Sequence, residues 1–146
     1  MQETVAAPPA RAGLVPAGLI YTLRILVTAH TVALLVAASF AGRGLVYDDN
    51  FALTLDPSRF ETHVMAGLAA HVIGLLQLIA AILVWRPGRG AGWPALASLG
   101  LFVLGVAQHF LLMIGLNAHL PNGVALFGLL LATTIWVWSP RAAQRR

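Results

Sequence analysis

The chain has no cysteine among its 146 residues. Disulfides and thiolate metal sites are therefore excluded. It also has no lysine, so its nine strongly basic side chains are all arginine. With the abundance of Ala and Gly, that usage points to a GC-rich bacterial genome. Charge is scarce altogether, at 10% of residues, against about 25% in soluble domains. Only five residues are acidic, and of these Glu61 alone reaches the edge of an apolar segment. This argues against an ion-coupled transporter with a buried acid, and against a zinc or two-metal hydrolase. There is no HExxH, Walker or GxSxG pattern.

What is present in quantity is apolar. Hydrophobic residues make up 59% of the chain, and mean hydropathy is +0.83. Four apolar segments, at about 17–42, 59–85, 93–116 and 121–138, each fit a hydrocarbon core roughly 30 Å thick. The composition predicts an all-α fold. The expectation is a single integral membrane domain over 1–146, a transmembrane four-helix bundle running up-down-up-down.

Local signals set the expected ends. Residues 1–11 are polar and read as a disordered segment at the cytoplasmic face, not a cleaved signal peptide. Pro16 marks the first helix start, and Gly42 and Gly44 its end. Residues 43–59 read as a loop. In it Ser58 is the expected N-cap of the second helix, with Glu61 as capping-box partner. Arg86-Pro87-Gly88-Arg89-Gly90 is a turn. Residues 117–122 read as a short turn holding His119 and Pro121, and Ser139-Pro140 ends the fourth segment.

Arg11, Arg24, Arg86, Arg89, Arg141, Arg145 and Arg146 mark one side of this arrangement. The positive-inside rule then places both termini and the middle loop in the cytoplasm of a bacterial inner membrane. Trp85, Trp93, Trp136 and Trp138 gather at the same interface as an aromatic belt. A pI near 11.2 comes from these segment ends, not from a basic patch, and gives no reason to expect nucleic acid as a partner.

Polar groups inside a membrane span are costly and are functional candidates by default. His63, Gly67, His71, Gly74 and Gln77 fall on one stripe roughly 120° wide at about 100° per residue. By residue count, His63, His109 and His119 form an outer layer. His30 and His71 form a second layer roughly 12 Å deeper. Neutral imidazole is the usual axial ligand of haem iron, and helical bundles build cofactor sites from facing side chains. Glycine in the same stripe leaves room for a flat ring. His63 and His119 are the expected axial pair of a haem b, with His109 as substitute, and His30 with His71 would serve a second haem. Each of these histidines also has a plainer reading as an interhelical hydrogen-bond partner, and the glycines as helix contacts.

Two resemblances follow from these residues. Glu61 and His63, with GLLQLIAAIL beyond Gly67, resemble the second span of a haem A synthase half-bundle. Gln108, Gly115 and His119 resemble that family's approach to its second haem-ligating histidine. Val64 stands where that family usually has Arg, and the duplicated eight-span layout is missing. Phe60-Glu61-Thr62-His63 and His119-Leu120-Pro121-Asn122-Gly123 are similar to the F-x-x-H and H-P-x-N-G-like motifs of a family of small, uncharacterised bacterial four-span membrane proteins. That second likeness implies the fold and draws attention to His63, His119 and Gly123, without supplying an activity.

The functional expectation is a cytochrome-like electron-transfer protein, not an enzyme in its own right, meeting a membrane redox partner. Two alternatives stand beside it. One is a non-catalytic membrane subunit or scaffold, self-associating or packing on a partner through its Gly and His faces. The other is a quinone-binding protein whose histidines hold a quinone carbonyl.

Overall fold

A computed structural model describes residues 13–146. The expectation for residues 1–11 lies outside the described residues. Four long helices dominate: α1 (Ala17–Gly44), α2 (Pro57–Trp85), α3 (Trp93–Ile114) and α4 (Leu116–Val137). Each is long and apolar enough to cross a membrane. The protein is a multi-pass helical membrane protein. Its outward surface carries exposed Ile25, Val32, Leu68, Val72, Ile79, Val103 and Ile135, the side chains that meet lipid.

The helices begin and end where their chemistry allows, with corrections to the sequence reading. Pro16 is the N-cap of α1. The expected loop at 43–59 contains a hairpin, β1 (Leu45–Tyr47) antiparallel to β2 (Leu53–Leu55), with Val46 opposite Thr54. Its turn is held by Asp48, whose Oδ1 accepts from the backbone N–H of Asn50 and of Ala52, both at 2.9 Å. The N-cap of α2 is Asp56, not Ser58. Asp56 Oδ1 accepts from the Ser58 amide at 3.0 Å and from its hydroxyl at 2.6 Å. Those bonds hold the Asp56 carboxyl below its usual range. Ser58 thus lies inside the helix, whose first turn opens with Pro57, a residue with no N–H to leave unpaired.

The expected turn at 117–122 is also corrected. A single residue, Gly115, joins α3 to α4 at φ +136°. That left-handed backbone suits glycine. Helix α4 then begins at Leu116, five residues before the expected 121, so Pro121 sits inside it. Pro121 is the sixth residue of α4, past the first turn, and it has no N–H to give the Asn117 carbonyl. His119 therefore falls in the first turn of α4.

One end of the bundle is closed. Leu23, Val27, Ala81, Leu130 and Val137 are fully buried there. Trp93 and Trp136 meet edge to face at 4.8 Å. The segment before α1 and the segment after α4 are joined over the same region. The amide of Val15 donates to Ala143 at 2.9 Å and that of Arg145 to Gly13 at 2.9 Å. Arg24, half-buried in α1, donates from Nε to the Val137 carbonyl at 3.0 Å. Its guanidinium lies 5.2 Å from the Tyr21 and Trp138 rings. A charge that would be costly in lipid thus caps the last carbonyls of α4.

Candidate cofactor site

The other end of the bundle is hollow. A cavity of about 440 Å³ lies among all four helices, within the usual range for small-molecule sites, roughly 300–1,000 Å³. His30, His63, His71, His109 and His119 all line it, with Gly67, Gly74, Gly105 and Gly123. Neither a carboxylate nor an arginine is among its lining residues. The stripe read from the sequence is therefore real as a surface. Four of its members face the cavity, and Gln77 is fully buried beneath.

Each histidine is held by a specific neighbour. His63 donates from Nδ1 to the Ala37 carbonyl at 2.7 Å. His71 donates from Nδ1 to the Gly67 carbonyl one turn back, at 2.8 Å. His119 donates from Nδ1 to the Gln108 carbonyl at 3.0 Å. A backbone carbonyl only accepts, so in all three rings Nδ1 carries a proton, and in the neutral ring Nε2 carries the lone pair. This is how ligand histidines are commonly oriented, with the far ring nitrogen anchored to an acceptor.

His63 on α2 and His119 on α4 come together. Their ring centroids are 6.2 Å apart and their planes differ by 62°. The backbone of His119 is held as well. Gln108 Nε2 donates back to the His119 carbonyl at 2.9 Å. Asn122 Nδ2 donates to the Leu104 carbonyl at 3.0 Å and to Gln108 Oε1. A Cβ on Gly123 would stand 3.2 Å from Gln108 Nε2, so Gly123 admits this clasp. A Cβ on Gly67 would meet nothing within 4 Å. Gly67 borders open space.

The two expected layers are not separate. His109, placed in the outer layer by residue count, stacks on His71 with centroids 4.8 Å apart and planes 32° apart. Counting along each helix ignored the relative shift of the helices. His30 does not stack on His71. It is buried, and its Nδ1 meets Gln77 Oε1 at 2.9 Å, while Gln77 Nε2 donates to Ser98 Oγ at 2.9 Å. Its ring packs on Gly74, where a Cβ would lie 3.0 Å from His30 Cε1. His30 is thus the floor of the cavity and the start of a buried polar chain. The roles of Asn122 and Ser98 had no signal in the sequence beyond polarity at the edge of apolar runs.

Among the described residues, no three His, Cys, Asp or Glu side chains converge to hold a bare metal ion. A haem needs only one or two axial side chains from the protein. The donor set therefore fits a haem better than a naked cation. No family model matches the chain, and comparison with curated proteins and with solved structures gives no match.

Proposed function

We infer that the protein is a small b-type cytochrome of a bacterial cytoplasmic membrane, carrying electrons through a haem held between His63 and His119. The observation that carries this reading is the 6.2 Å separation of two rings that both keep Nε2 unprotonated. His63 and His119 would hold the haem iron between them through Nε2. The open space at Gly67 and the absence of charged lining residues support a flat apolar ring beside them. Haem would supply one-electron redox chemistry when bound.

The same reading includes an up-down-up-down path with both termini in the cytoplasm. Its support is the register of contacts. His63 meets Ala37 while Gln77 meets His30, and Thr31 meets Thr134 while Arg24 meets Val137. In each pair one number rises as the other falls. Of the described arginines, Arg24, Arg86, Arg89, Arg141, Arg145 and Arg146 lie at the closed end, against Arg43 and Arg59 at the hollow end, the bias a cytoplasmic end carries.

The quinone-carbonyl alternative draws less support, because His63, His71 and His119 have already committed their only N–H. A carbonyl needs a donor. The test of the haem reading is the haem content of purified protein from haem-replete cells. About one haem per chain is expected, with at least about a tenfold loss in His63→Ala and in His119→Ala, whereas His30→Ala retains it. Full content in either axial variant overturns the assignment.

A further inference from the structure

The closed end carries a surface that the haem reading does not use. A groove of about 570 Å³ opens where α4 passes into the short 3-10 helix Pro140–Ala143. It shares no lining residue with the histidine cavity. Ala132, Ile135 and Trp136 line it on α4, and Pro140 and Arg141 line it beyond the helix end at Val137. Ala132 and Ile135 are exposed on the outer surface, where lipid lies. The groove thus passes from apolar residues inside the span to a cation just outside it. That is the order of a phospholipid, chain first and charged headgroup last. Headgroups begin where the hydrocarbon core ends, and so where α4 ends.

The charge at this end narrows the headgroup. Arg24, Arg86, Arg89, Arg141, Arg145 and Arg146 lie here, with the Arg146 amide donating to the Arg89 carbonyl at 2.8 Å. The described acidic residues, Asp48, Asp49, Asp56 and Glu61, all lie in the hairpin or at the start of α2, at the hollow end. Arg59 and Asp56 form the one ion pair among the described residues, and it is at the hollow end too. Arg141 is exposed and has no ion-pair partner among the described residues. A zwitterionic headgroup would find a cation for its phosphate but no described carboxylate for its ammonium. A net-negative headgroup finds only attraction.

We propose that this groove holds one anionic phospholipid, with an acyl chain along Ala132 and Ile135 and its phosphate on the Arg141 guanidinium. The site stands whether or not the protein carries haem.

The test uses full-length protein in detergent with defined mixtures of phosphatidylglycerol and phosphatidylcholine of the same acyl chains. Native mass spectrometry counts the lipids retained on each chain. Wild-type protein should retain one phosphatidylglycerol in preference to phosphatidylcholine. Arg141→Gln should cut that preference about fivefold, the value of one arginine near an anionic lipid surface. Ala132→Phe, which sets a ring in the groove, should reduce retention of either lipid. Both positions are exposed, so neither variant threatens the fold. Arg146→Gln, at the same end but outside the groove, should change the preference much less. Equal retention of the two lipids by wild-type protein overturns the proposal. So does unchanged retention in Ala132→Phe, or an unchanged preference in Arg141→Gln. An equal fall in Arg141→Gln and Arg146→Gln also overturns it, because the attraction would then be diffuse and not a site.

Discussion

The two ends of the bundle are made of the same four helices but solve different problems. At the closed end, Leu23, Val27, Leu130 and Val137 interlock, residues 13–15 pair with residues 143–145, and Arg24 and the tryptophans seal the rim. At the hollow end, histidine and glycine stand where aliphatic side chains would fill space. Gln77 and Ser98 lie between, both buried, and tie the floor of one to the core of the other. The contrast teaches that the hollow is not loose packing. His63, His71 and His119 are each anchored by a backbone carbonyl, and Gly74 and Gly105 are placed where a Cβ would touch an imidazole. One end supplies stability so that the other can hold a cavity.

That division can be broken at several points. The largest effect on folding is expected at the closed end, where Leu130→Ala should lower stability by about 2–5 kcal/mol. Reversible unfolding in mixed detergent micelles measures it. A loss below about 1 kcal/mol would mean that the closed end is not the main support. Gln77→Leu comes next. It leaves His30 Nδ1 and the Ser98 hydroxyl without their buried partner, at about 1–3 kcal/mol in the same assay. It should also loosen the cavity floor.

At the hollow end the order reverses, with function more sensitive than stability. His63→Ala should change unfolding by no more than about 1 kcal/mol, since one hydrogen bond to Ala37 is lost. Gly67→Leu should leave stability within about 0.5 kcal/mol. Its side chain would enter open space, so haem or any other occupant should be displaced. A stability loss in Gly67→Leu comparable to that of Leu130→Ala would erase the contrast between the ends.

The smallest effect concerns the outer cap. The Asp56 carboxyl is held below its ordinary value, chiefly by the Ser58 hydroxyl. A depressed folded-state pKa gives stability that is present above the unfolded value and is lost as pH falls through the folded one. The cap should therefore persist at neutral pH and release only below about pH 4. An NMR titration of the Ser58 amide shift should show that transition, and Asp56→Asn should remove it.

Much of this was readable before any coordinates. The four spans follow from unbroken apolar runs, and the stripe from His63 to Gln77 follows from helical periodicity alone. The hairpin was not readable. Its strands are three residues each, and Asp48-Asp49-Asn50 between them reads as open loop. The start of α4 was missed because Pro121 is the stronger local mark. The pairing of His109 with His71 depends on how far α3 is shifted along α2, which no single helix records. The Nδ1 anchors depend on backbone carbonyls of Ala37 and Gln108, and every residue has one. Residue type could not point to those two.

The reduced-minus-oxidised absorbance spectrum of the purified wild-type protein tests the central claim most directly. The account predicts a low-spin b-type spectrum, with a sharp band that appears on reduction and is unchanged by carbon monoxide. A folded protein from haem-replete cells with no such difference spectrum would contradict it.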